Sequence, residues 1–187
     1  MNSFAVFLRG INVGGINIKM ADLKSALSAY PFTGVKTLLA SGNVVLQSEL
    51  DAAGVKEEFE KCLRAAFGYE AWVVVLTAKR VGELVDACPY PADDKANHSY
   101  VTLASNDTVL DELFKAADDL AKAGAASIEH IRLGPEATAW LAPVGGTLEN
   151  PLSKLAAKPR YKSSITTRNL RTLIKVRDAA AALEERD

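Results

Sequence analysis

Val35-Lys36-Thr37-Leu38-Leu39-Ala40-Ser41-Gly42-Asn43-Val44-Val45-Leu46-Gln47 holds two short apolar runs on either side of Ser41-Gly42-Asn43. Those three residue types favour a tight reversal, so Val35–Ala40 and Val44–Gln47 are expected to pair as a hairpin. Helical spacing flanks the hairpin on both sides. Before it, Met20, Leu23, Leu27 and Tyr30 recur every few residues until Pro31 and Gly34 end the pattern, which gives a helix over about 19–29. After it, Val55, Phe59, Leu63 and Phe67 mark a second helix closed by Gly68. Outside these helices lie two more strand patterns, Ser3–Arg9 and the continuous apolar run Ala71–Leu76. The order through residue 77 is therefore βαββαβ, the ferredoxin-like arrangement in which two helices cover one face of a four-stranded antiparallel sheet.

Beyond it, Lys79–Ala87 reads as a short helix, and Pro89-Tyr90-Pro91 with the polar residues through Asn97 reads as a linker. Tyr100–Ala104 is then strand-like and Thr108–Ala123 helical. Ile128–Leu133 and Thr138–Leu141 form a hairpin pattern around Gly134-Pro135. From residue 143 the chain is punctuated by proline and glycine, and Thr167–Leu183 has the spacing of a C-terminal helix. The expected class is α+β: a ferredoxin-like subdomain at 1–77, a short helix and linker at 78–97, and a second antiparallel α/β subdomain at 98–187 that carries a basic C-terminal helix. The βαββ order recurs, without a convincing repeat of the residues themselves.

Composition narrows the function classes. A chain of 187 residues with 49% hydrophobic and 24% charged content is long enough to build a core, burying about 70% of its unfolded surface. A net charge of −1 gives no whole-molecule attraction to nucleic acid or to a membrane surface. Cys62 and Cys88 lie far apart and outside any CxxC pair, so both read as reduced packing residues. Met1-Asn2-Ser3 leads straight into a strand pattern without a signal-peptide profile, and no apolar run reaches the length of a membrane span. A cytoplasmic protein without a membrane partner is expected.

Between the first strand and helix stands Leu8-Arg9-Gly10-Ile11-Asn12-Val13-Gly14-Gly15-Ile16-Asn17-Ile18-Lys19. Glycines there permit a close backbone approach to a ligand, and the helix that follows aims unpaired N–H groups at it. Gly10 and Gly15 have Walker A spacing, yet Ile16-Asn17 stands where Lys-Ser/Thr is required, and no Gly-x-Gly-x-x-Gly occurs. No cofactor is expected. Arg9 at the carboxyl edge of a strand suits a phosphate or carboxylate, with Asn12, Gly14 and Gly15 beside it. Ser41 and Asn43 add donors if the hairpin turn lies near this loop. A plain chain reversal capped by asparagines is the competing reading.

Charge is polarised along the sequence. Lys154, Lys158, Arg160, Lys162, Arg168, Arg171, Lys175 and Arg177 fall in the acid-free segment from Asn150 to Arg177, leaving fourteen basic against twenty-three acidic residues elsewhere. Read as helix, Arg168, Arg171 and Lys175 share one face, with Thr166 and Thr167 as caps, and Arg168, Asn169 and Arg171 join the candidate anion site. The alternative is a solvated basic face packed against acidic residues such as Asp118 and Asp119. Catalytic sets are poor: His98 and His130 are separated by several elements, and Asp93-Asp94 is a pair in a proline-flanked loop, so no metal site is expected. Trp72 and Trp140 on strand patterns read as packing residues. The aromatic-rich string of an RNA-recognition motif is missing, which disfavours sequence-specific RNA binding.

Three segments carry a resemblance: Leu8–Gly15 continuing to Lys19-Met20-Ala21-Asp22-Leu23, then Ala40-Ser41-Gly42-Asn43-Val44, and Thr166-Thr167-Arg168-Asn169-Leu170-Arg171-Thr172. With these the chain resembles the domain-of-unknown-function family 1697 (DUF1697), small bacterial proteins without an established activity. Leu170 stands where members of that family typically have an aromatic residue. The resemblance implies a ferredoxin-like N-terminal part joined to a second α/β part, and it supplies no catalytic residues. Binding of a phosphate-bearing ligand, whether nucleotide, phosphorylated metabolite or nucleic-acid backbone, is the expected function. The alternatives are an enzyme acting on such a small molecule through Ser41 or an Asp93-Asp94 metal, and an interaction module that forms a homodimer.

Overall fold

A computed structural model describes residues 1–9, 11, 17–68, 70, 72–105, 107–123, 129–147, 151–161 and 163–185. The candidate loop residues Asn12, Gly14 and Gly15 lie outside these. The chain divides into two compact units, Met1–Glu83 with Ile174–Asp187, and Leu84–Leu173. The unit boundary falls inside a helix both times, and the C-terminal helix from Ile174 counts with the first unit rather than with 98–187.

In the first unit, β1 (Asn2–Leu8), α1 (Met20–Leu27), β2 (Thr33–Leu38), β3 (Asn43–Ser48), α2 (Ala52–Phe67) and β4 (Val73–Thr77) follow in the expected order. The sheet runs β2-β3-β1-β4, antiparallel throughout, which is the ferredoxin-like topology. Alternation along the central strands puts Phe4, Val6, Leu8, Val44 and Leu46 on one face, where they meet Leu23 and Leu27 of α1 and Val55, Phe59 and Leu63 of α2. Asp51 caps α2, its carboxylate accepting from the Gly54 N–H at 2.8 Å. Gly68 closes the helix in the left-handed conformation.

Helix α3 (Ala78–Ala87) leads to the second unit, built from β5 (Asn97–Ala104), α4 (Asp107–Lys122), β6 (His130–Gly134), β7 (Ala137–Pro143), α5 (Pro151–Ala156) and β8 (Ile165–Asn169). Its sheet runs β6-β7-β5-β8. Numbered from its own first strand, this is the same βαββαβ order and the same strand sequence across the sheet. Trp140, Leu110, Leu113, Leu152, Leu155 and Ile165 form its core. After β8 comes α6 (Leu170–Glu184), as α3 follows β4.

Two elements correct the sequence reading. Helix α5 sits in a stretch expected to be irregular, because Pro151 occupies the first helical position, where a missing N–H costs nothing. Strand β8 takes residues assigned to the C-terminal helix. Ile165, Thr166 and Thr167 are β-branched and pair with Ala104, Leu103 and Thr102 of β5. Arg168 is thus a strand residue, and the expected helical face of Arg168, Arg171 and Lys175 does not exist. Thr166 and Thr167 are not caps; Asn169 Oδ1 accepts from the Arg171 N–H at 2.9 Å at the start of α6. No described helix is long and apolar enough to cross a membrane.

The β2–β3 turn contains a position that admits only glycine. Gly42 has φ +75°, and a Cβ built there would stand 2.5 Å from Ile11 Cδ1 and 2.9 Å from Leu8 Cβ. Gly68, at φ +63°, has nothing within 4 Å of such a Cβ. Gly42→Ala is expected to destabilise by about 2–4 kcal/mol, adding overpacking to the left-handed strain. Gly68→Ala should cost only about 1 kcal/mol. Urea midpoints of the two variants check this; equal losses would show that the Ile11 contact relaxes freely.

Candidate functional site

The first unit gathers its candidate residues at one end of the sheet, where β1 ends, β3 and β4 begin and the β2–β3 turn reverses. The Leu8 N–H donates to Gly42 O at 2.8 Å, and the Arg9 N–H to Trp72 O at 3.3 Å. The Ser41-Gly42 turn therefore stands against the point where the Arg9 loop leaves the sheet, and Ile11 tucks under the turn glycine. Start of β4 and underside of α2 are strapped together: Lys56 Nζ donates to Val73 O at 2.8 Å and to Glu60 Oε1 at 2.7 Å, while Glu60 Oε1 accepts the Val73 N–H at 3.2 Å.

Arg9 is half-buried, and burial lowers the pKa of its guanidinium from the usual value. A guanidinium stays protonated despite such a shift, so the effect is a cation held in a medium less polar than water. Ser41 is exposed and Asn43 is fully buried. The Asn43 amide donates to Leu38 O at 2.9 Å and to Ser41 Oγ at 3.0 Å, so its two N–H donors hold the turn. Leu39, next in the turn, adopts φ +60° with 45% of its surface exposed.

The same two backbone bonds recur in the second unit. The Ala104 N–H donates to Glu136 O at 2.7 Å, and the Ser105 N–H to Ser164 O at 2.8 Å. Ala104 thus corresponds to Leu8, Ser105 to Arg9, the Pro135-Glu136 turn to Ser41-Gly42, and Ser164 to Trp72. What differs is the connection that follows. From β5 to α4 the chain spends residues 105–106, two in all, whereas from β1 to α1 it spends residues 9–19, eleven in all.

The three C-terminal candidates have local partners in the second unit. Arg168 is 7% exposed, and its Nη1 donates to Thr166 Oγ1 at 2.6 Å and Thr167 O at 2.9 Å. Burial pushes its pKa down to about 10, still far above neutrality. Asn169 is the α6 cap described above. Arg171 is exposed, and its Nε donates to Ala92 O at 2.6 Å, fastening the 89–96 loop. In the same loop Ser99 Oγ donates to Pro91 O at 2.6 Å. Both Asp94 oxygens are engaged, accepting from the Ala96 N–H at 2.7 Å and Asn97 Nδ2 at 3.0 Å, which lowers its pKa. Arg160 pairs with Glu112 of α4 at 2.5 Å, so part of the basic segment is matched by acid within the unit.

The histidines stand on β5 and β6 with β7 between them, opposite Ala142 and Trp140 of that strand, about 12 Å apart at the usual strand spacing and rise. His130 stacks on Phe114 at 4.5 Å, and His98 meets the Tyr100 ring edge-on at 6.2 Å. Trp140 is buried as packing, stacked on Tyr100 at 4.7 Å, with its Nε1 donating to Thr102 Oγ1 at 3.0 Å. Thr102 Oγ1 also lies 2.9 Å from Thr167 Oγ1. This part-buried hydroxyl pair is not singled out in the sequence, although both threonines stand on strands.

The family described as "Protein of unknown function (DUF1697)" matches residues 1–132. No curated protein matches the chain. A conserved bacterial protein, SP0830 from Streptococcus pneumoniae, is similar in structure, with a TM-score of 0.74 and 20% identity over 96% of this chain and 98% of that one. That likeness is one of fold. An unknown protein from Galdieria sulphuraria, 14% identical over 99% of this chain and 92% of that one, has a TM-score of 0.25.

Two expectations follow from the buried groups. Arg168→Lys replaces a planar fork by a single ammonium and should cost about 1–3 kcal/mol at pH 7. Burial depresses the pKa of the introduced amine below its unfolded value of about 10.4, so between those two values the unfolded chain binds more protons and stability rises with pH. The deficit of the variant against wild type, followed by urea melts from pH 7 to 10, should therefore shrink as pH rises; a constant deficit would contradict the burial. Cys62 is fully buried with its thiol pushed up to about 11, and burial also raises Cys88, partly offset by the Tyr90 backbone N–H. At pH 8 only about one Cys62 in a thousand is thiolate. Ellman's reagent should modify Cys88 slowly in the native protein and Cys62 only on unfolding.

Proposed function

The chain belongs to the DUF1697 family, and for this member we propose that the first unit binds a phosphate-bearing anion at the end of its sheet, against Arg9 and the Ser41-Gly42 turn. The observation that carries this reading is the unequal pair of connections. The second unit makes the same join in two residues, so the eleven-residue β1–α1 connection exceeds what the fold needs. Connections of this kind usually take two to about six residues, and longer ones tend to carry function. Its glycines and asparagines suit close backbone approach to an oxyanion.

In this reading Arg9 supplies the charge, and its half-buried setting strengthens the attraction relative to a fully solvated cation. Ser41 supplies a hydroxyl fixed by Asn43, and Asn12, Gly14 and Gly15 supply donors from the loop. In this reading Arg168, Asn169 and Arg171, which belong to the second unit, supply none of the donors. The ligand class is a nucleotide, a phosphorylated metabolite or a nucleic-acid backbone.

The test is the unfolding temperature of wild type, Arg9→Gln and Arg171→Gln with inorganic phosphate, nucleotides, sugar phosphates and a short RNA, at low and moderate salt. A ligand at a hundred times its dissociation constant should add about 2.7 kcal/mol to wild type. That gain should vanish in Arg9→Gln and persist in Arg171→Gln. No stabilisation of wild type by any of these ligands, or an undiminished gain in Arg9→Gln, overturns the proposal.

A further inference from the structure

At the opposite end of the β2–β3 hairpin, where β2 begins and β3 ends, the first unit has a concavity of about 540 Å³. Local chain geometry creates it. Strand β2 is the edge of its sheet, and its pairing with β3 slips between Thr33 and Lys36. Gly34 lies in that slip with φ +60°, the signature of a bulge with glycine in the left-handed region. On the facing helix α6, Ala182 is small. Gln47 Nε2 donates to Leu183 O at 3.4 Å and so ties the last turn of α6 to β3. A Cβ at Gly34 would stand 3.0 Å from Gln47 Oε1 and 3.2 Å from Leu183 Cδ2, so the missing side chain keeps this wall open.

Two cations flank a lining of mixed character, in which Gln47 is polar and Val35, Ala179, Ala182 and Leu183 are apolar. Lys24 of α1 and Lys36 of β2 both border the concavity, and both are exposed. Neither has an ion pair or hydrogen bond among the described residues. Val35, Ala182 and Leu183 supply the apolar surface. A volume of this order is typical of small-molecule sites, which lie at about 300–1,000 Å³. An extended peptide is the poorer fit, because a bulge and a lysine on an edge strand both oppose the addition of another strand.

We propose that this concavity binds an amphipathic organic anion, with one carboxylate or sulfonate drawn to Lys24 and Lys36 and a hydrocarbon or aryl body against Val35, Ala182 and Leu183. The charge sign follows from two ammonium groups without partners among the described residues, and the apolar body from the aliphatic part of the lining. This site shares no residue with the one at Arg9.

The probe is 1-anilinonaphthalene-8-sulfonate, titrated by fluorescence into the folded protein beside the uncharged N-phenyl-1-naphthylamine. Saturable one-to-one binding of the sulfonate is expected. The double variant Lys24→Gln/Lys36→Gln should weaken it by about tenfold, the equivalent of roughly 1.4 kcal/mol, and leave the neutral dye unchanged. Ala182→Leu should weaken both dyes by filling the space, and Arg9→Gln should weaken neither. The lysines are exposed, so the double variant folds, as its circular dichroism and unfolding temperature will report. Absence of saturable binding, or equal affinity of the double variant for the sulfonate, overturns the proposal.

Discussion

The first unit turns on the contact at Gly42. Its carbonyl takes the last N–H of the central strand, and its Cα is the surface on which Leu8 and Ile11 rest. A strand end, a turn and the root of a long loop are thereby fixed at a single residue without a side chain. The Asn43 amide then closes the turn from beneath. Glycine is needed here because Ile11 folds back under the turn. In the second unit the equivalent hydrogen bond is made by Glu136, an ordinary residue, since the loop after Ala104 is too short to send anything back.

The hairpin, both early helices and the ferredoxin-like order could be read from the sequence because local signals and tertiary demands agree there. Gly68 ends α2 and also fits its left-handed cap, and the apolar spacing of α2 matches the face it buries. Agreement of that kind is what makes a segment legible. β8 was hidden because Thr166-Thr167-Arg168-Asn169 runs without a break into a helical pattern, and nothing local marks the change. Pairing with β5, sixty or so residues away, decides the matter, and long-range pairing routinely overrides local preference. With β8 unread, the completion of a second βαββαβ unit was unread as well.

The candidate residues divide along the same line. Arg9 and Ser41 could be associated once the hairpin was recognised, since the topology brings the end of β1 to the β2–β3 turn. Arg168 reads as a surface cation because charge alone says nothing of depth; on β8, between the half-buried Thr167 and Asn169, its own side chain is buried in the second unit. Arg171 reads as a ligand contact, and in the fold its Nε secures the Ala92 carbonyl. A basic run in sequence is not a basic face in space when a strand, a helix cap and an ion pair to Glu112 share it out.

Two copies of one topology in a single chain give an internal control. Wherever both copies solve a problem in the same way, as in the paired bonds of Leu8 and Arg9 and of Ala104 and Ser105, the fold itself is the sufficient explanation. Where they differ, the fold is not the reason. The join between first strand and first helix is completed in two residues on one side, so neither the length nor the glycine content of 9–19 is demanded by chain closure. The same comparison applies to charge: an arginine follows the central strand in one unit and a serine in the other, yet both backbones make the same hydrogen bond. That backbone bond is therefore independent of the side chain that follows the strand, and half-burial sets the Arg9 guanidinium in a medium less polar than water.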